Sequence, residues 1–251
     1  MTTMAPILEA RGFSRSFGHV RALIDADFDV EAGEVVALIG DNGAGKSTMV
    51  KALTGNLEVD SGELLFEGEP VTIRSPQQAS DMGMEVVYQD LALAPHLNPV
   101  QNMFLGREIP RKGVLGWFGF MDEKAMREKA TTGFAELGGT VRALGAQVGM
   151  MSGGQRQAIA VARASAFASR VVILDEPTAA LGLRESRQVL DLILRMRDEG
   201  CAVIVISHAM DHVMEVADRA MVMRRGRVVG EEIPRPENRT RLVSLIVGGD
   251  D

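Results

Sequence analysis

Cysteine is almost absent from this chain, and that sets the first limits. Cys201 is the only one among 251 residues, so neither an internal disulfide nor a cysteine-built metal cluster is available to hold the fold. Long hydrophobic runs are missing too. Although 46% of residues are hydrophobic, apolar runs such as Ala202–Ile206 are the size of a strand, far short of the roughly 18 residues of a membrane span. The opening residues, MTTMAPILEA, lack the basic-then-apolar pattern of a signal peptide. The expectation is a cytosolic protein whose membrane contact goes through a partner. Positive charge is in deficit: 27 Lys and Arg stand against 34 Asp and Glu, a formal charge of −7, with a pI near 5.3. That balance argues against a protein whose main task is gripping nucleic acid. No repeat of fixed period and no low-complexity tract is present. What remains is enough chain for one large α/β domain or two modest ones.

The most informative stretch is Gly40-Asp41-Asn42-Gly43-Ala44-Gly45-Lys46-Ser47-Thr48. Gly40, four intervening residues, then Gly45-Lys46-Ser47 is the phosphate-loop pattern. Its glycines let the backbone curl so that several N–H groups point inward at phosphate oxygens. Lys46 sets a compact positive charge on the β- and γ-phosphates, and the Ser47 hydroxyl is placed to ligate Mg²⁺. The context agrees: Val35–Ile39 reads as a buried strand and Lys46–Leu53 as a helix, whose N-terminus adds orphan donors and a positive dipole end. A flexible glycine turn would need neither neighbour. The chain is expected to bind a nucleoside triphosphate.

Other elements follow in order. Alternation predicts strands over Ile7–Phe13 and Ala22–Val30, and a hairpin of Glu63–Phe66 with Val71–Ile73. Phe17, between the first two strands, reads as core filler or as a stacking face for an adenine ring; by residue type alone the core is favoured. A helix over Pro76–Asp81 and a buried strand over Met84–Val87 lead to Gln89, a polar residue just past a strand end, where ligands gather in such sheets. Trp117, Phe118 and Phe120 lie in an irregular stretch over residues 91–120. They are expected to pack on their own domain, the alternative being an exposed surface for a partner. Asp122 caps a helix that should stop near Gly138-Gly139.

Ser152 and Gln155 have capping-box spacing, with Gly153 and Gly154 between them. Two glycines in a first helical turn each cost about 1 kcal/mol relative to Ala, and a cap does not need them. A helix start that approaches an anion does, so this stretch is taken as a second phosphate-binding element. Val171–Leu174 is an apolar strand ending in Asp175-Glu176-Pro177. Adjacent carboxylates at a strand end are costly unless they bind metal or do acid–base work. Asp175 suits Mg²⁺ and Glu176 suits the base for an attacking water. A helix over Leu183–Glu199 and a strand over Ala202–Ile206 lead to Ser207-His208. His208 and His212 share a zinc-like spacing but lack the intervening glutamate of the protease motif, so His208 reads as a γ-phosphate contact. Met210, Met214, Met221 and Met223 read as core. A hairpin over Ala220–Glu231 and a helix over Asn238–Val247 close the chain.

Together these motifs resemble an ATP-binding cassette ATPase over roughly Ile7 to Val247; the stretch Ser152-Gly153-Gly154-Gln155 shortly before the Val171–Glu176 strand is specific to that family. The resemblance implies one α/β cassette over residues 1–251. It has a RecA-like P-loop core, an N-terminal antiparallel β subdomain (both within about 6–90 and 168–247) and an inserted α-helical subdomain (about 91–167). It implies ATP and Mg²⁺ as ligands. Phe17 would stack on adenine, and Gly40, Asn42, Gly43, Ala44, Gly45, Lys46, Ser47 and Thr48 would cradle phosphates. Ser47, Gln89 and Asp175 would face the metal, with Gln89 sensing it, while Glu176 would be the general base and His208 the switch histidine. Ser152–Gln155 would complete the site of a second copy, or of a paired homologous cassette, closing head to tail.

The runs Val87–Leu93, Phe104–Glu108 and Asp175–Leu181 look like the monosaccharide-importer branch. That branch implies a polytopic permease moved through Gln89 and residues 91–120, an extracytoplasmic sugar-binding protein acting indirectly, and a peripheral place on the cytoplasmic face of the inner membrane. Three departures stand out: Phe17 for the commoner tyrosine, Met151 for leucine, and Gly182 where many cassettes carry aspartate. A soluble cassette acting on nucleic acid or ribosomes would carry a coiled-coil insertion, a basic arm or tandem cassettes, and none is seen. A regulatory module without turnover would not need Glu176 and His208.

Overall fold

The computed structural model describes residues 5–137, 141 and 143–248. β1 (Leu8–Phe17) and β2 (Val20–Val30) pair antiparallel. β1 runs four residues beyond the expected Phe13 because register shifts fall between Ala10 and Phe13 and on to Ser16. Bulges interrupt the period-2 pattern, so the pattern fades before the strand does. β3 (Val35–Ile39) and α1 (Lys46–Leu53) match expectation. β4 (Ser61–Phe66) turns into β5 (Glu69–Val71) through Glu67 and Gly68. Both have positive φ, 53° and 80°, as a two-residue hairpin turn of the primed type requires. That turn sets Phe66 opposite Glu69, starting β5 two residues earlier than predicted and leaving Ile73 outside it.

α2 (Pro76–Asp81), β6 (Met84–Val87), α3 (Pro99–Phe104), α4 (Val114–Trp117) and α5 (Glu123–Glu136) follow. The Asp122 side chain caps α5 by accepting from Ala125 N–H at 3.0 Å, as expected. The predicted stop at Gly138-Gly139 lies outside the described residues. Then come α6 (Gly153–Phe167), β7 (Val171–Asp175), α7 (Leu183–Asp198), β8 (Ala202–Ile206), α8 (Met210–Val216), β9 (Arg219–Arg224), β10 (Arg227–Glu232) and α9 (Arg239–Val247).

Contacts divide the chain into two compact units. The first comprises residues up to Val86, Ala168–Glu176 and the chain from Ile193 on. It holds a four-stranded sheet in the order β2-β1-β4-β5 and most of a six-stranded sheet in the order β10-β9-β3-β8-β7-β6. β3 is parallel to both β8 and β9, and β7 is parallel to β8. Every residue of β3, β7 and β8 is buried, which is why these strands read as unbroken Val/Ile/Leu runs rather than alternating ones. Met221 and Met223 are core, as expected, and Met210 packs against the core's edge.

Arg219, at the start of β9, ties this unit together. Its guanidinium donates to Asp29 of β2 at 2.7 Å, to Glu34 at 2.9 Å and to Glu231 of β10 at 2.9 Å. Hydrogen bonds to charged groups contribute about 1.5–3 kcal/mol each, and removing the shared cation leaves carboxylates facing one another. Arg219→Ala is therefore expected to lower unfolding free energy by about 2–3 kcal/mol, read from the urea midpoint at unchanged slope. A loss below about 0.5 kcal/mol, the range of ordinary surface substitutions, would show the network to be ornamental.

The second unit comprises Val87–Phe167 and Pro177–Leu192. α3, α5 and α6 pack on one another around Met103, Phe104, Met126, Phe134 and Ile159, all buried. Phe104 meets Phe167 edge-on with ring centroids 5.7 Å apart. The fully buried Asn102 accepts from Ala94 N–H at 2.7 Å and donates to the Ala94 carbonyl at 3.0 Å, fixing the loop before α3. The expected packing of Trp117, Phe118 and Phe120 on their own domain does not occur. All three are exposed, in a stretch where the chain turns through positive φ at Gly113 and Gly119, 76° and 81°.

Candidate functional site

Parallel pairing brings distant parts of the sequence to one place. Val35 aligns with Val203 and Leu38 with Ile206 across β3 and β8; Asp175 aligns with Ile206 across β7 and β8. The three strands therefore end along one edge. The 40–45 loop leaves the first, Glu176 the second and Ser207-His208 the third.

The loop after β3 has a shape that only glycine allows at two points. Gly40 has φ 146°, and a Cβ there would lie 2.1 Å from the Met223 carbonyl oxygen; Gly45 has φ 111°, and its Cβ would lie 2.6 Å from that of Ala22. Lys46 is only 7% exposed, and its Nζ donates to the Gly40 carbonyl at 2.6 Å and the Asp41 carbonyl at 3.0 Å. An ammonium has three donors, so one remains for an anion. Asn42, Gly43 and Ser47 are exposed, Ala44 is buried and Thr48 half-buried. No side chain caps the start of α1. By contrast, Ser75, Asn98 and Asp122 cap α2, α3 and α5. The first N–H groups of α1 are thus left for a ligand.

Asp175 is 6% exposed. Glu176 adopts φ 52°, a left-handed conformation that costs a residue with a Cβ about 1–3 kcal/mol. Its N–H is held by the Ile206 carbonyl at 2.9 Å. Its Oε1 accepts the His208 backbone N–H at 3.0 Å and lies 3.5 Å from His208 Nε2. The charges feel one another. Burial pushes the Lys46 ammonium down, opposed by Glu176, Asp175 and Asp41. Burial pushes the Asp175 carboxyl up, opposed by Lys46, His208 and Lys51. Burial likewise pushes Glu176 up, opposed chiefly by His208 through its charge and its backbone N–H. A carboxylate held above its ordinary range is a stronger base.

Lys46, Ser47, Asp175, Glu176 and His208 thus belong to one unit, and Lys46, Asp175, Glu176 and His208 act on one another electrostatically. Lys51 was not singled out from the sequence, where a lysine inside a helix looks like any solvated cation. Phe17 also lies in this unit. It is 48% exposed at the end of β1, with the Arg15 guanidinium 5.1 Å from its ring centroid. The core role favoured from residue type is overturned, because Phe17 is the last residue of β1, paired with the exposed Val20 beside the hairpin turn.

Gln89 and Ser152–Gln155 belong to the second unit. Gln89 is exposed, two residues past β6. Both capping-box bonds form: Gln155 N–H donates to Ser152 Oγ at 3.2 Å, and Ser152 N–H to Gln155 Oε1 at 3.1 Å. A Cβ on Gly154 would sit 3.2 Å from the Ala180 carbonyl oxygen and 3.3 Å from a Leu181 methyl. Close packing against that turn is thus a structural reason for Gly154 that sequence reasoning lacked.

Residues 23–179 match the family described as ABC transporter. Over 248 residues the chain is 50% identical to the fructose import ATP-binding protein FrcA of Rhizobium meliloti, covering 98% of this chain and 95% of that one. Over 226 residues it is 42% identical to the xylose/arabinose import ATP-binding protein XylG of Sulfolobus acidocaldarius, covering 90% and 88%. A nucleotide-free ATP-binding cassette from an ABC transporter superposes with a TM-score of 0.81 at 25% identity, covering 97% of this chain and 98% of that one. The antiparallel sheet and the parallel RecA-like core are the architecture of that cassette. With its glycine loop, strand-end carboxylates and helix-start signature, the chain belongs to the ABC transporter family.

Proposed function

We propose that this chain is the ATP-hydrolysing subunit of a membrane importer for a monosaccharide. The observation that carries the reading is the convergence of Lys46, Asp175, Glu176 and His208 at the ends of three parallel strands. The sugar class is supported by the relatives, which are named for fructose and for xylose and arabinose import.

The 40–48 loop and the open N-terminus of α1 would cradle the phosphates through backbone N–H groups, with Lys46 on the β- and γ-phosphates and Phe17 against the adenine. Ser47 and Asp175 offer a hydroxyl and a carboxylate, hard oxygen donors of the kind Mg²⁺ takes together with nucleotide phosphates, and Gln89 would add an amide oxygen. Bound there, the ion would neutralise charge on the β- and γ-phosphates. Glu176 takes a proton from water as its oxygen attacks the γ-phosphorus, and the β–γ bridging oxygen leaves with ADP. His208 stays against Glu176 and the γ-phosphate. Catalysis is positioning and charge neutralisation, which suits a site of loops and helix ends.

Two copies, or a copy and a homologous cassette, would close head to tail, each ATP lying between the Lys46 loop of one and Ser152–Gln155 of the other. Closure would move a polytopic permease through the Gln89 segment, with a sugar-binding protein delivering substrate on the far side. Among the described residues no helix is long and apolar enough to cross a membrane; the subunit would sit peripherally on the cytoplasmic face, held by the permease. The purified chain should release phosphate from ATP. A photo-crosslinker placed at Gln89 should capture a polytopic membrane protein from native membranes. Capture only from positions 224–241 would contradict the docking, and absence of phosphate release would remove the enzyme.

A further inference from the structure

The nucleotide site uses nothing from residues 109–121, yet this stretch is closed at its base like a built loop. Pro110 and Met121 form an antiparallel bridge. Arg111 N–H donates to the Phe120 carbonyl at 2.9 Å, and Asp122 N–H to the Ile109 carbonyl at 2.7 Å. At its tip the one turn of α4 is packed so tightly that a Cβ on Gly116 would lie 1.8 Å from the Arg111 carbonyl oxygen. This hydrogen-bonded frame carries exposed apolar side chains. Trp117 is 84% exposed, Phe118 66% and Phe120 56%, and the Trp117 and Phe118 rings stack edge to face at 5.1 Å. A cluster of this kind on a tip, and not around a groove, has no shape to receive a side chain from a partner; it is shaped to enter something.

Charge says what it enters. In a chain of net charge −7, the charged residues between Ile109 and Met121 are Arg111 and Lys112, both exposed. Arg111 Nε donates to a backbone oxygen, that of Met121, at 3.3 Å. Tryptophan and phenylalanine beside basic residues are the composition that settles at the headgroup level of a bilayer. Each cation near an anionic leaflet contributes on the order of 1 kcal/mol. An acidic protein partner would also attract two cations, but it would not favour three exposed apolar rings beside them.

We propose that the Arg111–Phe120 loop is a membrane-surface wedge, with the Trp117 and Phe118 rings in the headgroup layer of an anionic bilayer and Arg111 and Lys112 on lipid phosphates. The proposal stands on the loop alone and does not need the permease or the importer reading.

Trp117 is the only tryptophan in the chain, so its fluorescence reports the loop directly. With the full chain at low salt, vesicles of phosphatidylcholine and phosphatidylglycerol should shift its emission to shorter wavelength and carry the chain upward in a flotation gradient. Phosphatidylcholine alone should do neither. Arg111→Ala with Lys112→Ala should weaken partitioning about 30-fold, the equivalent of about 1 kcal/mol per cation. Phe118→Ala with Phe120→Ala should lose flotation while keeping the wild-type thermal melt and phosphate release. No emission shift with anionic vesicles, or equal partitioning into neutral and anionic ones, overturns the proposal. A shift that grows with protein concentration in the absence of lipid overturns it in favour of a second copy of the chain. A Trp117 contact found only with a membrane protein overturns it in favour of a protein surface.

Discussion

Glu176→Gln should slow ATP hydrolysis by about 10²–10⁴-fold and turn ATP into a clamp that holds two copies of the chain together. The substitution keeps the size of the side chain, and the amide oxygen can still accept the His208 N–H that Glu176 Oε1 accepts at 3.0 Å. What it removes is the proton acceptor. It should not weaken the fold. Burial raises the Glu176 pKa above its ordinary value, so the folded state loses stability as pH rises from the unfolded value through the folded one. At neutral pH the ionised group carries that penalty, and glutamine escapes it.

With hydrolysis blocked, ligand that binds the closed pair and not the separate chains stabilises the pair by mass action. Glu176→Gln should therefore run as a dimer on a sizing column with ATP and as a monomer without it. Adding Ser152→Arg places a bulky cation at the start of α6 and removes the cap on Gln155 N–H, a loss of about 1 kcal/mol, too small to unfold a domain of this size. The double variant should bind ATP at Lys46 and stay monomeric. If it still dimerises with ATP, the shared-site arrangement is wrong; if Glu176→Gln keeps normal turnover, Glu176 is not the base.

His208→Ala should retain ATP binding and lose about 10²–10³ in turnover, the range for removing one group that stabilises transition-state charge. It should also move the pH profile. With Glu176 as the proposed base, turnover would require it ionised, so activity should fall as pH drops through the pKa of that group. Burial holds this pKa up, and the His208 charge is the largest influence holding it back. Removing the imidazole leaves the backbone N–H in place but takes away its charge, so the acid limb should shift to higher pH. Phosphate release measured across pH tests both effects. Near-normal turnover with an unmoved acid limb would make His208 a bystander.

The parts of this protein that were legible early are those encoded by neighbours in sequence. Pro76–Asp81, Met84–Val87 and Ala202–Ile206 fall within the bounds predicted for them, because a proline at a helix start, or a short apolar run, is a local signal. Errors arose where another part of the chain decided the outcome. β1 outran its alternation because its bulges are defined against β2. The turn at Glu67-Gly68, and not the apolar residues after it, set the start of β5. Residue type alone favours the core for Phe17 and packing on their own domain for Trp117, Phe118 and Phe120, yet burial belongs to a position and not to a residue type.

By itself the sequence determined the phosphate loop, the helix-start signature, the paired strand-end carboxylates and hence the ABC transporter family. Each is a short string whose backbone conformation and donor groups follow from its own residues. Only the tertiary structure decided that Lys46, Asp175, Glu176 and His208, separated by up to 162 positions in the chain, act on one another. The spatial order β3-β8-β7 is not the order of the chain, and pairing between distant strands is chosen by the whole core rather than by either strand. The same core decided the chemistry of the groups it gathered. Desolvation lowers the Lys46 pKa and raises those of Asp175 and Glu176, and no residue carries its burial in its name.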